Sequence, residues 1–501
     1  MCTCRYRRPV GILDDIALVT SSGYHLCFSW GDFMRFAKCR ATGLLCLLCM
    51  ANTIAAAPGG NIPPLVAATA QKLAEHALQD NIAYEIVESL TTEVGPRLAG
   101  TEAEDRARQW AVAKLQALGF DNVHIEPFQV PLWLRGIERA EIITPFPQPL
   151  TITALGGSAS TGPNGIEADV VSFETLAELE RAGEDQVRGK IVFVDEAMSR
   201  SRDGSGYSEA VAKRRQTAFT AQRLGARAAL IRSVGTSNHR FAHTGQMRRI
   251  DYREQSGVPA AALSAPDADQ LRRVLARGKP VTLKLVITPQ LLPASESGNV
   301  IAEIPGSSAP HEIVLVAAHL DSWDLGTGAI DDGAGVGIVV GAARLLMDHL
   351  AHAPRRTIRI VLFGAEEVGL VGAEAYAKQH ASELANHVMA TESDFGAGDI
   401  WRFDSGVREE RLPLIAAIGE LLLPLAIEPG GNAASGGPDI KYLREAGVPV
   451  VGLKQNGWDY FDLHHTLDDT LDKIAPDALN QNVAAYAVFM YLAAELEADF
   501  R

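Results

Sequence analysis

The sequence predicts an α/β fold, a mixed, largely parallel sheet flanked by helices and interrupted by an inserted domain. Three observations predict it. From Ser297 to the end, short apolar runs alternate with helical segments: NVIAEI, EIVLVAA, a Gly-rich helix, TIRIVLF, a helix, HVMATES, further helices, PVVGLK and a final helix. Parallel strands joined by crossover helices give that alternation. The run Ile313 to Ala318 is apolar throughout and β-branched at three of six places, as expected of a central strand buried on both faces. Between about residues 145 and 290 the style changes and candidate catalytic groups become scarce, which marks an insertion between two parts of one catalytic domain.

A chain of 501 residues is too long for one simple core, so two domains and a leader are expected. The divisions read as 1–57, an upstream extension and signal peptide; 63–144, the first catalytic part; 145–290, the insertion; and 296–498, the second catalytic part. Arg35, Lys38 and Arg40 precede the apolar run TGLLCLLCMANTIA, and Ala55, Ala56 and Ala57 follow it. Charge, apolar core and small residues in that order make a secretory signal peptide. A start at Met34 gives the leader its usual length. Leu48 is too large for the residue that precedes a lipoprotein cysteine, so Cys49 is not read as one. The rival reading of the leader is a membrane anchor that stays attached.

All six cysteines lie at or before residue 49. After cleavage, disulfides, thiolate ligands and a cysteine nucleophile are excluded, and any metal must use His and carboxylate ligands. Removing residues 1–57 takes away six basic and three acidic residues, which moves the net charge from −15 to −18. The chain has no basic cluster suited to nucleic acid. No later apolar stretch is long enough to span a bilayer, so no stable membrane insertion is expected after cleavage.

In chain order, Pro63 to about Leu90 has a helical pattern. VGPRLAG is a turn, and Thr101 with Glu104 forms a capping-box signature before a helix closed by Gly119. VHIEPFQVPLW alternates as a strand. The insertion holds GKIVFVDE, a helical stretch near Ala210–Leu224, ARAALIRSV, a helix at Ala265–Ala276 and VTLKLVIT. No repeat or low-complexity tract interrupts the chain.

The chemistry gathers at the carboxyl ends of the predicted strands, where open α/β sheets hold their ligands. His319 and Asp321 end the first strand, and a Gly-rich loop leads to Asp331 and Asp332 before a helix begins at Gly333. Glu366 and Glu367 end the next strand, Asp394 follows another, and His464 and His465 lie in a late loop. Zinc takes imidazole nitrogen and carboxylate oxygen and keeps a position open for water. Two ions a few ångströms apart usually share one carboxylate. His319, Asp331, Glu367, Asp394 and His465 are the candidate ligands. Asp321 lies two residues after His319, on the same side of an extended chain, and can orient its imidazole. Glu366 and Glu367 face different ways, so one can ligate while the other serves as a base. His464 reads as structural, and Asp324 and Asp332 as supporting loop groups. Asp439 suits either a pocket wall or a helix cap, and the His243–Gly245 turn either an approach to the pocket or a plain loop.

The stretches HLDSWDLGTGAIDDGAG, FGAEEVGLVG, ESDFGAG and HHTLDDT, with VGPRLAGTE near the start, resemble peptidase family M28, the di-zinc exopeptidases. The resemblance spans roughly residues 65–498. It implies the zinc-dependent exopeptidase (phosphorylase/hydrolase-like) fold, a protease-associated inserted domain and two Zn2+ ions. It implies His319, Asp331, Glu367, Asp394 and His465 as metal ligands, Asp331 as the bridging one, Glu366 as general acid/base and a cis peptide at Asp331–Asp332. Activity as a carboxypeptidase or dipeptidase on short peptides, a secreted or periplasmic location and a homodimer are the further expectations. An aminopeptidase on the same site is the nearest rival. Glutaminyl cyclases resemble the fold but take one zinc, and a receptor-like ectodomain without metal is the non-enzymatic rival.

Overall fold

The computed structural model describes residues 61–248 and 257–501. The signal peptide and its cleavage region, expected within residues 1–60, lie outside the described residues. The described residues form one compact unit that contains two eight-stranded sheets.

The first sheet runs in the order Asp121–Leu134, Gln290–Ile304, Arg356–Phe363, Ala309–His319, His387–Glu392, Val450–Gln455, Ile400–Gly406, Glu428–Pro429. Its four central strands are mutually parallel, and antiparallel pairings flank them. The expected central strand is Ala309–His319, with parallel neighbours on both sides. Its side chains alternate between the two faces, as the strand period requires. Val314, Val316 and Ala318 join the core under Ala334–His349 and Pro476–Glu495, while Ile313, Leu315 and Ala317 join the core under Val371–Gln379. Burial on both faces explains the unbroken apolar run.

The second sheet is built from residues 138–287, in the order Gln148–Leu150, Glu138–Thr144, Thr282–Ile287, Ile166–Phe173, Ile191–Val194, Ala228–Arg232, Ala260–Leu263, Ile152–Ala154. Glu138–Thr144, read with the first catalytic part in the sequence, pairs instead with Thr282–Ile287.

Two local differences have physical causes. The helical pattern after Pro63 is two helices, Pro64–Ala77 and Ile82–Glu93. The Asp80 carboxylate accepts from Ile82 N–H at 2.7 Å and starts the second. Ile400–Gly406 is a strand between the strand His387–Glu392 and the helix Leu412–Leu422 in the chain, concealed in the sequence by Arg402, Asp404 and Ser405 near the sheet's edge. The capping box is half as expected: Thr101 accepts from Glu104 N–H at 3.3 Å, but the Glu104 carboxylate reaches back to Gly100 N–H at 3.3 Å.

Candidate metal centre

The central parallel strands end at His319, Phe363, Glu392 and Gln455. Those strand ends and the loops leaving them carry every candidate ligand. They line one cleft of about 710 Å³, to which the second-sheet segment adds Tyr207, Arg214 and Gln246.

Asp331 stands at the centre. Its Oδ1 lies 3.2 Å from His319 Nε2, and its Oδ2 lies 3.2 Å from His465 Nε2. His465 Nε2 is also 3.0 Å from Glu367 Oε2, and His319 Nε2 is 3.7 Å from Asp394 Oδ1. The five expected ligands thus fall into two sets, His319 with Asp394 and His465 with Glu367, sharing Asp331. The peptide Asp331–Asp332 is cis.

The donor chemistry fits a cation in each set. His319 Nδ1 lies 2.9 Å from the Asp321 carbonyl. A carbonyl only accepts, so Nδ1 carries the hydrogen and a neutral ring turns a bare Nε2 lone pair towards carboxylate oxygens. His465 Nδ1 faces the Thr244 carbonyl at 3.3 Å in the same way. Arg214 Nη1 also faces that nitrogen, at 3.4 Å, while its Nη2 donates to Tyr207 Oη at 2.6 Å and its Nε to the Gln246 carbonyl at 3.3 Å; a ring that ligates through Nε2 carries its hydrogen on Nδ1, which the Thr244 carbonyl then accepts. Asp331 Oδ2 and Glu367 Oε1 are buried without a hydrogen-bond partner, and a bound cation would satisfy both. Zinc bonds of about 2.0–2.2 Å at tetrahedral angles would place neighbouring ligand atoms roughly 3.3–3.6 Å apart, and the separations here, from 3.0 to 3.7 Å, bracket that spacing.

The electrostatics agree. Burial works against a charged imidazole, yet Glu367 and Asp331 raise His465 to about 9. Burial likewise opposes protonation of His319, and Asp321, Asp331 and Asp394 overcome it and raise the group well above its ordinary value. Burial pushes Asp331 up, but the two histidines hold it well below the carboxylate range. Burial raises Glu366 well above its ordinary value. The site attracts positive charge from both sides of Asp331.

Asp321 differs from its expected part. Its backbone carbonyl meets His319 Nδ1 at 2.9 Å, and its carboxylate Oδ1 stands farther off, 3.7 Å from the same nitrogen. The carboxylate accepts from Glu366 N–H at 3.0 Å and Glu367 N–H at 3.3 Å. The turn after His319 brings the carbonyl to the ring and swings the side chain to the neighbouring strand end. Asp332 receives His319 N–H and Gly335 N–H, both at 3.1 Å, and so ties strand to helix. Asp439 is not a helix cap: the helix Lys441–Glu445 has Ile440 at its cap, and Asp439 is buried with its N–H on Glu392 Oε2 at 2.8 Å. His464 stacks on His465 with ring centres 3.5 Å apart, and its Nε2 is 3.7 Å from Asp331 Oδ2. It is nearer the centre than a purely structural residue needs to be.

Two supporting groups escaped the sequence reading. Asp469 accepts from Ile330 N–H at 2.6 Å and Asp331 N–H at 3.2 Å. Arg97 is buried and donates to the carbonyls of Leu320, Thr327 and Gly328 at 2.5, 2.7 and 2.9 Å, fastening the Gly-rich loop. The signals were present in HHTLDDT and VGPRL, but a single Asp or Arg in a loop does not declare its partners.

The model of peptidase family M28 matches residues 299–490. Carboxypeptidase Q from Bos taurus is 36% identical over 439 residues, 86% of this chain and 89% of that protein. The chain belongs to peptidase family M28. A crystal structure of a peptidase M28 precursor from Shewanella amazonensis has a TM-score of 0.85 at 50% identity and covers 87% of this chain and 98% of its own. Aminopeptidase YwaD from Bacillus subtilis is more distant, at 27% identity over 60% of this chain and 58% of that protein. The chain is therefore a metallopeptidase of the carboxypeptidase Q type, a zinc-dependent exopeptidase, and the aminopeptidases are its remoter relatives. Among the described residues no helix is long and apolar enough to cross a membrane.

Proposed function

We propose that this member of family M28 hydrolyses short peptides with two zinc ions, one held by His319, Asp331 and Asp394 and the other by Asp331, Glu367 and His465. The observation that carries the reading is the Asp331 carboxylate, each of whose oxygens faces a different histidine at 3.2 Å. Bound there, zinc supplies Lewis acidity that polarises the scissile carbonyl and makes water nucleophilic near neutral pH.

The chain's own residues supply the rest. Asp321 fixes the backbone at Glu366 and Glu367 through their N–H groups, so the two side chains part at the cleft. Glu367 ligates. Glu366 lines the cleft, and its carboxylate takes the proton of the attacking water and returns it to the leaving amine. Burial disfavours its charged form, which suits a group that must hold the proton between the two steps. The Asp321 and Thr244 carbonyls keep both histidines in the tautomer that offers Nε2.

Residues 145–290 form a protease-associated inserted domain in this reading, and residues 1–57 carry the signal that exports the enzyme to a secreted or periplasmic location. N-terminal sequencing of exported protein should find a start between Ala55 and Gly60; a start at Met1 or Met34 contradicts export by cleavage. Sedimentation tests the homodimer implied by the family. The decisive assay for substrate is product analysis on blocked and free dipeptides and tripeptides. A carboxypeptidase or dipeptidase needs the free carboxylate, whereas cleavage indifferent to C-terminal blocking and abolished by N-terminal blocking makes the enzyme an aminopeptidase.

A further inference from the structure

The turn His243–Gly245 belongs to the segment that builds the second sheet, yet each of its three residues meets the loop that carries His465. His243 Nδ1–H donates to the His464 carbonyl at 2.7 Å. Thr244 N–H donates to the His465 carbonyl at 3.0 Å, and the Thr244 carbonyl faces His465 Nδ1 at 3.3 Å. Gly245 has φ +128, and a Cβ there would lie 2.7 Å from His465 Nδ1 and strike Arg214 as well. A glycine is required at that point because the imidazole occupies the space of a side chain.

The turn is itself fixed. His243 and Thr244 are buried. Thr244 Oγ1 donates to the Ala154 carbonyl at 2.8 Å and accepts from Arg135 at 3.2 Å. Arg135 grips the Asp324 carboxylate with two bonds, at 2.7 and 2.8 Å. Asp324 lies in the loop between His319 and Asp331, so the network closes on the metal centre from both sides. His465 needs such support. It is a non-glycine residue at φ 61, a left-handed conformation that persists where the surroundings impose it.

We propose that the His243–Gly245 turn is the positioning element of His465, and that through it the second-sheet segment sets the occupancy of the metal position shared by His465 and Glu367. The His319 and Asp394 position takes its support from the first sheet and its own loops, through the Asp321 carbonyl. A ligating imidazole offers Nε2 only while Nδ1–H has an acceptor, and losing such an outer partner weakens metal binding by about 10–100-fold. The inference rests on the two-zinc reading of the site.

The test is zinc competition against a chelator of known affinity, on the full chain and on Gly245→Ala, His243→Ala and His243→Asn. The asparagine amide places an N–H where His243 has Nδ1–H. The wild type should bind two ions. In Gly245→Ala and His243→Ala one ion should bind about 10–100-fold more weakly while the other is unchanged, and His243→Asn should restore most of the loss. Thermal unfolding of the metal-stripped variants near the wild-type temperature separates positioning from misfolding. Two ions in the wild type with unchanged affinities in both Gly245→Ala and His243→Ala would overturn the inference alone, as would equal weakening of both ions. Fewer than two ions in the wild type would overturn the site reading, and the inference with it.

Discussion

Asp331 presents one carboxylate oxygen to His319 Nε2 and the other to His465 Nε2, each at 3.2 Å. The two histidines stand far apart in the second catalytic part of the sequence, and the fold brings them to the two oxygens of one carboxylate. One carboxylate thus stands between two imidazoles.

Glu366→Gln tests the division of labour at the second strand end. Glu366 is absent from both ligand sets, so the variant should retain zinc as wild type does. Its amide cannot accept the water's proton, and turnover should fall by roughly 10²–10⁴-fold. Metal analysis and steady-state kinetics on the same preparation check both halves. Wild-type turnover would remove Glu366 from the mechanism.

Asp469→Ala should act on Asp331 without touching a ligand. The variant leaves the N–H groups of Ile330 and Asp331 buried and unpaired, at about 1–3 kcal/mol each. Denaturant unfolding should register a loss of at least about 2 kcal/mol, with zinc binding weakened. An unchanged midpoint would mean that water replaces the carboxylate there.

His387 gives a pH dependence away from the metal centre. Burial lowers it to about 4, and its ring lies against Tyr376 Oη at 2.8 Å and the Glu383 carbonyl at 3.1 Å. The unfolded chain binds a proton near 6.5, so it holds more protons than the fold between about 4 and 6.5. The contribution is therefore complete above 6.5, declines as pH falls towards 4 and does not change further below it. It amounts to about 3 kcal/mol over that window. Chemical denaturation of metal-free protein at pH 7 and 4.5 should show a smaller acid loss in His387→Gln than in the wild type. An equal loss in both would assign the pH dependence to other groups.

Most of the site was legible in the sequence because its ligands sit at strand ends, where an apolar run stops at a polar residue. The runs before His319 and Glu366 announced both strand and site. The five candidate side chains lie together, His319 and His465 against Asp331, Asp394 beside His319 and Glu367 beside His465, and the Asp331–Asp332 peptide is cis. The supporting contacts were not legible, because they depend on backbone groups that every residue carries. Nothing in the letters tells that the Asp321 carbonyl comes nearer His319 than its carboxylate does, or that the Thr244 carbonyl meets His465. The strand Ile400–Gly406, next to the outermost strand Glu428–Pro429, was missed because Arg402, Asp404 and Ser405 interrupt the apolar pattern that marks the central strands.

The most direct measurement is anomalous diffraction at the zinc edge from crystals of the enzyme grown with zinc. Two peaks about 3.5–4 Å apart are predicted, one beside His319 and Asp394, the other beside Glu367 and His465, with Asp331 touching both. A single peak, or two peaks that do not share Asp331, would contradict the account.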